Sequence, residues 1–226
     1  MPQPIVVVMV KAPRAGAVKT RLVPPLSESE AASLAACFAQ DTILNARRVL
    51  PNVLVAYAPA DARLDLEPLL PADLLWFAQV GNDLGQRLDS VVNHVSQLGF
   101  SPFILLGADS PTLPTPFLQE ALQVLASNQA DISLGPTDDG GYYLIGLHRP
   151  VPDLFHNIDW STPAVYTQTA ANATALNLRL NATPCWYDVD TPADLQRLRV
   201  QILSDHEMRQ RAPNTYRWLS NRVLPS

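Results

Sequence analysis

Four cations stand within eleven residues of this chain: Lys11, Arg14, Lys19 and Arg21, in the run Lys11-Ala-Pro-Arg14-Ala-Gly16-Ala-Val-Lys19-Thr20-Arg21. Lys11 and Lys19 are the only lysines of the protein. A loop so charged can grip several phosphates through charge-assisted hydrogen bonds. Hard oxygen donors stand further along. Asp109 lies in Gly107-Ala108-Asp109-Ser110-Pro111, and Asp188 and Asp190 lie in Tyr187-Asp188-Val189-Asp190-Thr191-Pro192. An acid in a Gly/Pro-bounded turn at the end of a buried strand is placed to ligate a hard cation, Mg²⁺ or Mn²⁺, together with substrate phosphate. If residues 185–189 form a strand, Asp188 and Asp190 project to one face and two carboxylates converge on one site.

These loops need elements to position them. Apolar runs at 5–10, 53–58, 74–79, 102–108 and 131–136 are short, bounded and rich in Val, Ile, Leu and aromatics, as suits strands buried on both faces. Between and after them, 28–50, 84–98, 116–127 and 192–204 carry helical spacing. Strand and helix therefore alternate, which predicts a mostly parallel sheet. Helix starts are marked by Ser27 with Glu30, Thr115 before Pro116, Thr162 before Pro163, and Thr191 before Pro192 with Asp194 in the first turn. One segment departs from the alternation: Thr137-Asp138-Asp139-Gly140-Gly141 is a turn, and Tyr142–Leu147 reads as a returning antiparallel strand with Tyr142 and Tyr143 on opposite faces. The expected architecture is a single α/β domain over 1–204, a Rossmann-like sheet flanked by helices with this hairpin inserted. A helical tail over 205–226 is expected to pack on it through Tyr216, Trp218 and Leu219. In such open sheets ligands bind at the carboxyl ends of the strands, where the charged loops fall.

Composition narrows the function. With 16 basic residues against 21 acidic, a net charge of −5 and no basic run, a nucleic-acid surface has little support. The run 5–10 is far short of the roughly 20 residues of a membrane span, and its flanking charges follow it instead of preceding it, so the chain reads as cytoplasmic. Cys37 and Cys185 are far apart among apolar neighbours, which predicts buried thiols and excludes a CxxC pair. Val18 stands where a Walker A loop requires glycine, and only Gly16 is available toward G-x-G-x-x-G, against a P-loop kinase or an NAD enzyme. His148 and His156 have no partner spacing and read as structural.

The basic loop after the first strand, GADSP after a central strand, GPTDDGGYYLIGL, and DVDTPADL before a late helix occur in one order. Together they resemble the nucleotide-diphospho-sugar transferase superfamily with the glycosyltransferase-A fold, over about residues 4–204. The nearest resemblance is to a bacterial glycosyltransferase-like family related to guanylyltransferases of the phospholactate and molybdopterin type. It implies that Asp109 and Asp190 ligate the divalent ion, with Asp188 as an additional ligand. Gly16, Lys19 and Arg21 match the position of its nucleotide-phosphate loop, although the G-x-G-x-R-M-x(n)-P-K form is absent, and Lys11, Arg14 and Thr20 of the same charged loop are further nucleotide-binding candidates. Gly81, Asp83 and Gly85 fall where related enzymes contact base or ribose, with Arg87 just beyond. Asp138, Asp139, Gly140 and Gly141 fall where the acceptor enters, and Trp160, Ser161 and Thr162 form the opposite wall. On this reading Lys19, Asp109 and Asp190 are the catalytic residues of a metal-dependent transferase. Its partners are a nucleotide or sugar nucleotide and a small-molecule acceptor. Nucleotidyl transfer from an NTP to a phosphorylated or hydroxyl acceptor leads. Glycosyl transfer from a nucleoside diphosphate sugar, with Asp138 or Asp139 as base, and a non-catalytic nucleotide-binding module are the alternatives.

Overall fold

In the computed structural model residues 2–222 are described, so Met1 and the tail residues 223–226 lie outside it. The central apolar runs form one sheet because they can be buried on both sides. Its strands are β1 (Gln3–Lys11), β2 (Val53–Ala58), β3 (Leu75–Ala78), β4 (Phe100–Gly107), β5 (Ile132–Pro136), β6 (Tyr142–Leu147) and β7 (Leu180–Ala182). They lie in the order β3-β2-β1-β4-β6-β5-β7. Pairs β1–β2, β1–β4, β2–β3 and β5–β7 are parallel, and β6 runs antiparallel to both β4 and β5. The hairpin is thus built into the middle of the sheet.

Helices α1 (Glu28–Val49), α2 (Arg63–Leu66), α3 (Leu84–Gln97), α4 (Thr115–Ala126), α5 (Val165–Ala175), α6 (Pro192–Ser204), α7 (His206–Arg211) and α8 (Pro213–Ser220) flank it. Val6, Val8 and Val10 of β1 pack with Ile43 of α1 and Leu125 of α4, while Ile5 and Val7 pack with Val91 and Val95 of α3 on the other face. Tyr143 joins the first of these cores and Tyr142 packs against the second, as their alternation requires. A further core joins Leu34 and Phe38 of α1 to Leu195, Leu198 and Ile202 of α6 and to Trp218 and Leu219 of α8. The buried Asp41 carboxylate receives the backbone N–H groups of Asn214 (3.0 Å) and Thr215 (2.8 Å), and Trp218 donates to the Ser33 hydroxyl at 3.0 Å.

Four local expectations are corrected. Residues 185–189 are not a strand: Trp186 makes one isolated parallel bridge to Thr137, and the strand beside β5 is β7, three residues that carry no β-branched signal. The cap of α4 is Pro114 instead of Thr115. Thr162 caps no helix at Pro163; α5 begins at Val165, because Ser161 adopts a left-handed φ of 64° and turns the chain first. Cys185 is exposed at the rim beyond β7, its thiol donating to Asp138, while Cys37 is partly buried.

The short β7 is held by Arg179, whose Nε and Nη2 each lie 2.9 Å from an Asp131 oxygen and whose Nη1 donates to Asn128 O at 2.6 Å. The guanidinium holds the Asp131 carboxyl well below its ordinary value of 3.8. A depressed carboxylate stabilises the fold above its unfolded value and loses that contribution as pH falls through and below it. Arg179→Ala is therefore expected to lower the thermal midpoint by about 2 °C at pH 7, the scale of an exposed bidentate pair. The difference from wild type should shrink as calorimetry is carried down from pH 4 to pH 2.

Candidate functional site

The chain leaves β1 toward β2 on one side and later returns to place β4 on the other, so the crossovers diverge between β1 and β4. Such a divergence opens a crevice at the carboxyl ends of the two strands. A cavity of about 720 Å³ lies there, lined among others by Lys11, Lys19, Thr20, Arg21, Arg87, Asp109 and Asp190. Residues from the loops after β1 and β4, from the approach to α6 and from the first turn of α3 thus meet at the ends of these strands.

Lys19 is the centre of the arrangement. Its Nζ lies 2.5 Å from Asp109 Oδ1 and 2.8 Å from Asp190 Oδ1, and its side chain is only 4% exposed. The backbone of Lys19 is left-handed (φ 50°, ψ 36°), and its carbonyl oxygen accepts from Leu22 N to close the short turn Thr20–Leu22. A lysine in this conformation stores about 1–3 kcal/mol of strain, which the surrounding contacts must hold in place. They do so: Val18 packs with Ala32 and Ala35 of α1, and the Phe38 ring centroid is 5.7 Å from Nζ. Burial pulls the Lys19 ammonium down, but the charges and hydrogen bonds of Asp109 and Asp190 outweigh it, so the net shift is upward.

Asp109 and Asp190 reach the floor by different routes, whereas Asp188 is buried behind it and does not line the cavity. Asp109 follows β4 directly. Its carbonyl oxygen accepts from Val189 N at 3.0 Å, which ties the segment before α6 to the end of β4. Asp190 precedes the α6 cap, where the Asp194 carboxylate accepts from Asp190 N (3.2 Å) and Thr191 N (2.8 Å). Asp188 lies against the Ser110 hydroxyl, and burial followed by the charge of Asp109 pushes its carboxyl up to about 7. Asp109 and Asp190 remain 48% and 35% exposed, and both line the cavity together with Lys19.

A divalent ion fits this donor set. Two hard carboxylates already present oxygens to one cationic point, and one or two carboxylates completed by substrate phosphate is the usual complement of Mg²⁺. Among the described residues no three His, Cys, Asp or Glu side chains could hold a metal by themselves.

Other expected residues lie elsewhere. Arg14 turns away to ion pairs with Asp61 (3.1 Å) and Asp65 (2.6 Å), fastening the loop to α2. Gly16 has a left-handed φ of 74° beside the Glu28 carboxylate. Gly81 accepts from Arg87 Nε at 3.2 Å, and it is Arg87, with Leu84, that reaches the cavity wall. Asp83 caps α3 by accepting from Gln86 N; with Gly85 and Trp160 it borders a second hollow of about 350 Å³. Asp138 binds Arg197 at 2.6 Å, which holds its carboxyl below the usual range. Asp139 closes its own turn by accepting from Thr137 Oγ1 and Gly141 N. Thr162 Oγ1 accepts from Ala164 N. None of Asp138, Asp139, Gly140, Gly141, Trp160, Ser161 and Thr162 lines the larger cavity. Gln79 and Arg87 do line it, and of these two only Arg87, in the first turn of the N-capped α3 after β3, carries a positional signal in the sequence.

The hairpin turn is locked to the segment before α5: Gly140 O accepts from Tyr166 N, and a Cβ on Gly140 (φ 90°) would lie 2.2 Å from the Pro163 carbonyl oxygen. Gly140→Ala is expected to cost about 1–3 kcal/mol, read as a lower urea midpoint, because neither backbone can yield freely.

A family model described as "Uncharacterized protein conserved in bacteria (DUF2064)" matches residues 42–162. No match was found among curated proteins. Among solved structures the chain is similar to a protein of Desulfovibrio desulfuricans G20 named as a candidate nucleotide-diphospho-sugar transferase. The TM-score is 0.87 at 32% identity, covering 98% of this chain and 95% of that one. It is also similar to CMP:2-keto-3-deoxy-manno-octonic acid synthetase complexed with CTP (TM-score 0.60, 12% identity, 89% and 99% covered). A Mycobacterium tuberculosis H37Rv protein in complex with manganese shares the fold at TM-score 0.50 and 16% identity, with 86% and 97% covered.

Proposed function

This chain belongs to the bacterial family DUF2064, and from that premise we propose that it is a nucleotide-utilising transferase whose reaction is nucleotidyl transfer from an NTP to a small phosphorylated or hydroxyl acceptor. The observation that carries the reading is the meeting of Lys19, Asp109 and Asp190 on the floor of a cavity ringed by Lys11, Arg21 and Arg87. Three cations around a pair of carboxylates suit a polyphosphate carried with a divalent ion. The relatives support nucleotide use in general: one is named a candidate nucleotide-diphospho-sugar transferase, one holds CTP and one holds manganese.

In this mechanism Lys19 and Arg21 bind the β and γ phosphates, while Lys11 and Arg87 hold the nucleotide along the crevice. Asp109 and Asp190 would hold a divalent ion, which would supply neutralisation of phosphate charge. An acceptor oxygen attacks the α phosphorus; the new P–O bond forms as the α–β bridging bond breaks, and pyrophosphate leaves with the electron pair. A phosphorylated acceptor already brings an ionised oxygen, so that step needs no base. Positioning and preorganised charge supply the acceleration. Glycosyl transfer through Asp138 or Asp139 fits less well, because Asp138 is engaged by Arg197, Asp139 by its own turn, and neither lines the cavity.

The test is a product assay with each NTP, Mg²⁺ or Mn²⁺, and a panel of sugar phosphates and phosphorylated hydroxy acids. Pyrophosphate release is expected, with turnover falling about 100-fold or more in Lys19→Ala and NTP affinity about tenfold in Arg21→Ala. Release of a nucleoside diphosphate from a sugar nucleotide, with no pyrophosphate from any NTP, would transfer the assignment to glycosyl transfer. Tight nucleotide binding with neither product would make the protein a binding module.

A further inference from the structure

Lys19 Nζ stands between the two carboxylates that would hold a divalent ion, bonded to Oδ1 of Asp109 at 2.5 Å and to Oδ1 of Asp190 at 2.8 Å. An ammonium and a divalent cation cannot share those positions, because two like charges would stand within bonding distance of the same atoms. The ammonium also has little freedom to sink away from them, since Phe38 and the packed face of α1 close the space behind it. Its remaining direction is outward, into the cavity lined by Lys11, Arg21 and Arg87. A lysine can make that move: four methylenes carry a point charge that has no fixed donor geometry.

We propose that Lys19 is a built-in competitor of the metal, so that its ammonium and the divalent ion are alternative occupants of the Asp109–Asp190 pair. For what draws Lys19 outward, this rests on the nucleotide reading above: the incoming phosphates offer the displaced ammonium new anionic partners. Metal and nucleotide then favour each other's binding, and the coupling is reciprocal by linkage. The arrangement holds the metal site closed to stray divalent ions until a polyphosphate is present.

Two measurements test this without any nucleotide or turnover. The first is Mn²⁺ titration followed by electron paramagnetic resonance in wild type, Lys19→Met and the Lys19→Met/Asp109→Asn double variant. Lys19→Met, which keeps the side-chain length and removes the charge, is expected to bind Mn²⁺ at least fivefold tighter than wild type, with the gain abolished in the double variant. A smaller gain, or one that survives Asp109→Asn, overturns the proposal. The second uses wild type alone and covers failure of the variants to fold. Because the chain has only Lys11 and Lys19, lysine-selective ¹³C labelling gives two side-chain signals, told apart by a Lys11→Arg sample. Saturating Mg²⁺ is expected to move the Lys19 Cε signal toward that of a solvated lysine. A Lys19 signal that stays in place at saturation, while Asp109-dependent Mn²⁺ binding is intact, overturns it. Failure of the pyrophosphate assay would remove the nucleotidyl reading and leave both of these results standing.

Discussion

Burying an ammonium at the carboxyl edge of a parallel sheet is costly, and here the cost is offset by two carboxylates that no single stretch of chain could supply. Lys19 comes from the loop after β1, Asp109 from the end of β4 and Asp190 from the approach to α6, the last 171 positions away. Removing either acid would leave a charge that the apolar surroundings solvate poorly, and removing the lysine would leave carboxylates facing one another. Three loops are therefore fixed relative to one another by one cation. The left-handed backbone of Lys19 is the local sign of that constraint, since the loop adopts a disfavoured φ to deliver the side chain downward.

The elements that carry this arrangement were legible in the sequence for a simple reason. The runs that became β1, β2, β4 and β5 are buried on both faces, so their apolar character is continuous, and the alternating helices between them carry their own caps, with full capping boxes at Ser27 and Thr191. β7 was illegible because three residues, Leu180, Asn181 and Ala182, offer neither alternation nor β-branched enrichment. Strand alternation puts Asp188 and Asp190 on one face, but residues 185–189 form no strand. Only Asp190 lines the cavity, Asp188 turns to the Ser110 hydroxyl, and the segment is placed by the Val189–Asp109 backbone hydrogen bond between stretches far apart in the chain. Composition gathered four cations in the first loop, yet it could not assign their directions. Whether Arg14 reaches a phosphate or a helix depends on Asp61 and Asp65 being carried close by the β2–α2 connection.

The C-terminal helices take part in the site without touching it. Phe38, whose ring lies near the Lys19 ammonium, is on α1, and α1 is braced from behind by α6 and α8 through one shared core. Asp41, fully buried on the same helix, receives the first N–H groups of α8. Burial pushes its carboxyl upward against the pull of those hydrogen bonds. A buried acid in that position is tolerable because its oxygens meet the positive end of a helix. The tail therefore fixes the helix that closes the space beneath Lys19.

The distribution of charge decides what the cavity can hold. Its floor carries Asp109 and Asp190, and its walls carry Lys11, Arg21 and Arg87, with Lys19 bonded to both acids. A free polyphosphate entering alone would meet the cationic walls but be repelled by two exposed carboxylates. A free divalent ion would meet carboxylates already bonded by Lys19 and would stand among cations. On the proposed function, a polyphosphate accompanied by its ion satisfies both halves at once, the ion facing the acids and the phosphate oxygens the bases. In a cavity bounded by low-dielectric walls these terms are larger than in water. On that reading, selection for the complex over either component follows from where the charges sit, before any contact to base, ribose or acceptor.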